Sequence, residues 1–127
     1  MITAVHALIY VEEPELARAF FRDVLEWPVS DSGGGWLIFK TGPSEFAAHP
    51  SSWEYEGQTG STDQHFDVSL MCDDLEQTMA ELAAKGAEFA GEVVDQGWGI
   101  AARLKVPGSS HEITLYEPQY DPPALSR

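Results

Sequence analysis

The sequence is poor in basic residues and holds almost no cysteine. Seven lysines and arginines stand against 21 aspartates and glutamates, a formal net charge of −14. A surface of that sign repels phosphate backbones and anionic membranes, which argues against nucleic-acid and membrane partners. The lone cysteine, Cys72, excludes an internal disulfide and fits a reducing compartment. No apolar run approaches the roughly 18 residues that span a bilayer. The N-terminal Met1-Ile2-Thr3-Ala4 carries no basic leader region. The expectation is a soluble, cytoplasmic protein, and 127 residues suffice for one domain with one core.

What is present is an internal repeat. His6-Ala-Leu-Ile-Tyr-Val-Glu-Glu-Pro-Glu-Leu16 lies over Asp67-Val-Ser-Leu-Met-Cys-Asp-Asp-Leu-Glu-Gln77. Each is a strand-like run, then two acids, then a helical pattern. Leu16, Phe20 and Val24, widened by Phe21 and Leu25, predict a helix over about 14–25, with Pro14 in its first turn. Leu75, Met79 and Leu82 predict a second helix over about 75–85, started by a capping box at Asp73 and Glu76 and stopped by Gly86.

Short strands follow each helix. In the first half, Trp27–Val29 leads through a Gly33-Gly34-Gly35 hairpin turn to Trp36–Lys40 and then to Glu45–His49. The second half runs Glu92–Val94, Gly97-Trp98-Gly99, Ile100–Val106 and Glu112–Tyr116. The two modules span about 3–50 and 64–118, joined by a polar linker over about 51–63 and closed by a tail, 119–127, expected to fray. Together they make a single α+β domain.

This βαβββ order, twice, resembles the vicinal oxygen chelate superfamily of glyoxalases, bleomycin resistance proteins and extradiol dioxygenases. The residues that carry the resemblance are the His6–Val11 start, the Phe20-Phe21-Arg-Asp-Val-Leu25 helix end and the final Glu112-Ile-Thr-Leu-Tyr-Glu-Pro118. Where many members have Asp-Pro-Asp-Gly, this chain has Val106-Pro107-Gly108-Ser109-Ser110. The resemblance implies two tandem modules forming a curved mixed sheet around a cavity, with helices on the outer face. It also implies a homodimer.

Strand parity then divides each strand between helix and cavity. Val5, Ala7, Ile9 and Val11 form an apolar set, leaving His6, Leu8 and Tyr10 toward the cavity. Val68, Leu70 and Cys72 pack, leaving His65, Asp67, Ser69 and Met71. Phe46 and Ala48 pack, leaving Glu45, Ala47 and His49. Ile113 and Leu115 pack, leaving Glu112, Thr114 and Tyr116. His6, Glu45, Asp67 and Glu112 thus project from the strands that carry metal ligands in the superfamily, with His65 as the alternative to Asp67. By position relative to Pro118 the family's glutamate falls on Thr114, with Glu112 two residues earlier on the same face.

One imidazole and three carboxylates make a hard site suited to Zn, Ni, Mn, Fe or Mg, with no organic cofactor. The resemblance implies a metal-dependent lyase or isomerase acting on a small vicinal-oxygen substrate, with Glu45 or Glu112 moving the proton. The alternative is a metal-free protein that sequesters a small aromatic or cationic drug or metabolite. Tyr10, Trp36, Trp53, Trp98, Thr114 and Tyr116 are the candidate contacts for either ligand.

Overall fold

The computed structural model describes residues 6–9, 11–45, 47 and 50–125. Its largest sheet forms from the second half of the chain. Strands β5 (Ser69–Met71), β6 (Phe89–Asp95), β7 (Gly99–Lys105) and β8 (Glu112–Pro118) lie in the order β5-β8-β7-β6. β5 runs parallel to β8, and the other pairs are antiparallel. Helix α2 (Leu75–Ala84) connects β5 to β6, which completes the βαβββ order expected for this half.

The alternation of β7 and β8 explains the sheet's two faces. Ala102, Leu104, Ile113 and Leu115 are buried on one face. In-register pairing sets Arg103 beside Thr114, Ala101 beside Tyr116 and Lys105 beside Glu112 on the other. β5 adds Ser69 beside Thr114 and Met71 beside Tyr116. The expected division holds for β5 and β8, because side chains alternate with a period of two, whereas Ala7 and Val68, expected to pack, are exposed on segments without strand.

Both helices cover the same face of this sheet. α2 packs Leu75, Met79 and Leu82 against Ala102 and Leu115. The other helix, α1 (Pro14–Asp23), comes from the first half, yet buries Ala17, Phe20 and Phe21 against Leu104, Val106 and Ile113 of the second. Burying side chains of this size contributes roughly 1.5–3 kcal/mol each. The α1 stripe is thus 17, 20, 21 and 24 rather than one through Leu16, which stays 51% exposed. Ile9 and Val11 pack on this cluster, as parity predicts.

The helix ends follow local chemistry. Asp74, not Asp73, is the N-cap of α2: its carboxylate accepts from the Gln77 amide at 3.0 Å. The Leu75 amide, another orphan donor, finds the Glu117 carboxylate at 3.0 Å. At the other end Gly86 has φ 98°, and the Gly86 and Ala87 amides donate back to Ala83 and Leu82. That is a Schellman closure, and the left-handed backbone there is the reason for glycine.

The first half differs more from expectation. The hairpin around Gly33–Gly35 forms as read, pairing β1 (Val29–Asp31) with β2 (Leu37–Phe39). Residues 6–9 carry no strand, and the expected Glu45–His49 strand falls largely outside the described residues. The linker is not irregular. It holds a second hairpin, β3 (Ser52–Tyr55) with β4 (Gln58–Ser61), turning at Glu56-Gly57. Both turn residues have positive φ, 50° and 78°, as a type I′ turn requires. The tail departs too: residues 123–125 form a 3₁₀ turn, and the segment before it is hydrogen-bonded to the body. Among the described residues no helix is long and apolar enough to cross a membrane.

Candidate functional site

The face of the large sheet away from the helices carries a cavity of about 130 Å³ lined by Glu92, Val94, Trp98, Ala101, Arg103 and Thr114. An irregularity in the β6–β7 pairing between Ala90 and Val94 opens its wall. Within it Gly91 has φ 65°, and a Cβ there would collide with the Arg103 guanidinium. The left-handed backbone is the reason for glycine at 91, since the exposed guanidinium end of Arg103 can swing aside. Arg103 Nη1 pairs with Glu112 Oε1 at 3.3 Å, an exposed pair worth roughly 0–1 kcal/mol.

An aromatic series leads away from this cavity. The Trp98 indole meets Tyr116 edge-on at 5.1 Å between centroids, and Tyr116 lies nearly parallel to Tyr120 at 6.5 Å. The two phenol oxygens are 2.7 Å apart. Tyr120 in turn donates to the Glu45 carboxylate, whose other oxygen accepts from the Ala124 amide at 3.3 Å. The bond to Glu45, and secondarily that to Tyr116, holds the Tyr120 phenol well above the usual tyrosine range, since a carboxylate acceptor stabilises the protonated donor.

Of the candidate residues, Glu112, Thr114 and Tyr116 share this face of the sheet, Trp98 stands at its β6–β7 turn beside Tyr116, and Glu45 reaches Tyr116 through Tyr120. Others stand elsewhere. His6 is exposed on a segment without strand, and His65 and Asp67 are exposed ahead of β5. Trp36 lies under the Arg18 guanidinium at 5.0 Å, a cation–π contact on α1. Trp53 lies across Gly60 within its own hairpin. Tyr10 lies outside the described residues.

Among the described residues no three His, Cys, Asp or Glu side chains come together in a way that would hold a metal ion. Glu45 is occupied by Tyr120 and Ala124, and Glu112 by Arg103. The described donors do not fit a divalent cation.

Sequence reasoning missed Arg103, Glu92 and Tyr120. Arg103 was legible in principle, since it alternates with the buried Ala102 and Leu104. Tyr120 had no signal, because it follows Pro118 in a tail without periodicity. A larger depression of about 340 Å³ lies on the β1–β2 hairpin among Pro28, Val29, Ile38 and Lys40. It is shallow and holds one charged side chain, so the Trp98 cavity is the better candidate on chemistry.

A family model described as Glyoxalase/Bleomycin resistance protein/Dioxygenase superfamily matches residues 3–103. The chain belongs to that superfamily. No curated protein sequence matches it. A superfamily member from Sphaerobacter thermophilus is 21% identical, with a TM-score of 0.60 over 91% of this chain and 98% of that one. TnmS3, an antibiotic binding protein from Streptomyces sp. CB03234, is 18% identical, with a TM-score of 0.56 over 94% and 99%. Lactoylglutathione lyase from Agrobacterium tumefaciens is 14% identical, with a TM-score of 0.56 over 91% and 94%. At these identities the likeness concerns the fold.

Proposed function

We propose that this superfamily member is a small-molecule-binding protein that sequesters a planar, cationic organic ligand at the Trp98 cavity. The observation that carries the reading is the Trp98–Tyr116 pair: an indole 47% exposed at the cavity wall, backed edge-on by a buried tyrosine ring. An exposed, braced indole is a stacking platform. A cavity of about 130 Å³ is smaller than the roughly 300–1,000 Å³ of drug-sized pockets, so it takes one ring system or one end of a larger molecule. Glu92 lines the cavity beside Arg103, whose charge is paired with Glu112, and the net charge of −14 favours a positive ligand. The similarity to an antibiotic binding protein supports sequestration as the role.

The metal-dependent lyase or isomerase reading would require His6, Glu45, Glu112 and either Asp67 or His65 to converge, and two of these already have other partners. The proposal includes a single glyoxalase-like domain over the whole chain and a homodimer in solution. Light scattering at micromolar concentration tests the dimer.

Fluorescence titration tests the function. Proflavine, a planar cation, is expected to quench Trp98 emission saturably without added metal, and 1-anilinonaphthalene-8-sulfonate, an anion, to bind more weakly. Trp98→Ala is expected to abolish the proflavine signal. No saturable quenching in the intact protein, or a thermal shift produced by Mn²⁺, Ni²⁺, Zn²⁺ or Fe²⁺ instead, overturns the reading.

A further inference from the structure

The last described residues, 119–125, are tied to the cavity from two directions. On one side the Gln119 amide donates to the Trp98 carbonyl at 2.8 Å. The Gln119 side-chain nitrogen, in the orientation its surroundings require, donates to Asp95 Oδ1 at 3.0 Å and to the Gly97 carbonyl at 2.9 Å. Those three acceptors belong to the β6–β7 turn that carries Trp98. On the other side Tyr120 and the Ala124 amide share the two oxygens of Glu45, a first-half residue outside any strand. Between these ties Tyr120 lies on Tyr116, the ring that braces Trp98.

We infer that residues 119–125 form a strap that holds the Trp98–Tyr116 wall in its ligand-binding arrangement, with Glu45 as its anchor in the first half. Tyr120 and Glu45 are positioning residues: neither lines the cavity, and both act on the ligand through Tyr116 and Trp98. The carboxylate proposed from sequence as a metal ligand or base has here a mechanical role. The hydrogen bonds and ring contacts that tie the strap lie at a half-exposed surface, with no fully buried side chain between 119 and 125. Such a segment opens at a far lower free energy than the core, so its docking can respond to ligand. The coupling of strap to ligand rests on the proposed function; the docking of the strap does not.

The test uses the full chain, Tyr120→Phe, Glu45→Gln and the double variant. Tyr120→Phe keeps the ring and removes the hydroxyl that meets Glu45 and Tyr116. Hydrogen exchange at Gln119, Ala124 and Leu125 is expected to quicken roughly tenfold in either single variant, while amides of β7 and β8 keep their rates. Proflavine affinity is expected to fall roughly three- to tenfold in each single variant. The double variant is expected to fall by less than the two single losses combined, because both changes act on the shared Tyr120–Glu45 bond. Acrylamide quenching of Trp98 emission, isolated by difference from Trp98→Phe, is expected to rise.

Unchanged exchange at residues 119–125 overturns the strap. Faster exchange with unchanged proflavine affinity and unchanged acrylamide quenching overturns its hold on the wall. Should the intact protein bind no proflavine, the binding reading falls instead, and exchange with acrylamide quenching decides the strap alone.

Discussion

Tyr120 donates its phenolic hydrogen to the carboxylate of Glu45, 75 positions earlier in the chain. A neutral donor on an ionised acceptor makes a charge-assisted bond, stronger than one between neutral groups. It joins the two halves of the molecule at the opposite end from the shared apolar core.

The first prediction concerns alkali. Tyr120 is held above the usual tyrosine range by Glu45 first and Tyr116 second. A raised folded-state value means that this bond stabilises the fold fully below the ordinary tyrosine range. The contribution is lost as pH rises through the raised value. An ultraviolet titration of the native protein is expected to show one late tyrosinate phase that Tyr120→Phe removes. Native tyrosines that all ionise in the range of the unfolded chain contradict this.

Cys72 is expected to be a sluggish nucleophile. Burial pushes its thiol up, outweighing a hydrogen bond with Thr78 that acts the other way. Its sulfur also lies 3.5 Å from the Tyr116 carbonyl. At pH 8 the native thiol should react with a disulfide reagent on the order of tenfold more slowly than in urea. The linked stability is present below the ordinary thiol range and is lost as pH climbs through the raised value. Equal rates in both conditions would place the thiol in solvent.

The helix that crosses between halves carries much of the stability. Phe20→Ala removes a buried ring from between α1 and Leu104, and should cost about 3–5 kcal/mol in urea unfolding. Leu16→Ala, on the exposed side of the same helix, should cost less than about 1 kcal/mol. Similar losses at both positions would mean that α1 sits on another face.

Gly91→Ala meets both a left-handed backbone and the Arg103 guanidinium. The backbone part should cost about 1–2 kcal/mol. In the Arg103→Ala background the loss should be nearly the same, because the exposed guanidinium can swing aside. A strong coupling in the cycle would show that the guanidinium is held against residue 91.

Much of the second half was legible in the sequence. Ile113 and Leu115 alternate with Glu112, Thr114 and Tyr116, and no arrangement but a half-buried strand satisfies that pattern. Gly86 after a helical stripe marked its stop. Less was legible in the first half. The Leu16–Phe20–Val24 stripe has the right spacing, but 17, 20, 21 and 24 has it too, and only the sheet beneath selects between them. The Glu56-Gly57 turn was overlooked because polar neighbours made its hairpin look like linker.

The candidate site divides in the same way. Periodicity determined which face Glu112, Thr114 and Tyr116 share, since a strand's geometry is local and repeats every two residues. It determined nothing about partners. Whether Glu112 meets a cation or another carboxylate, and whether Glu45 meets a metal or a tyrosine from the far end of the chain, depends on contacts between distant segments. Such contacts follow from how apolar faces pack, and they leave no mark on the local sequence. The sequence alone determined the α+β class and the faces of β5 and β8; the tertiary structure alone decided that Glu45 anchors Tyr120.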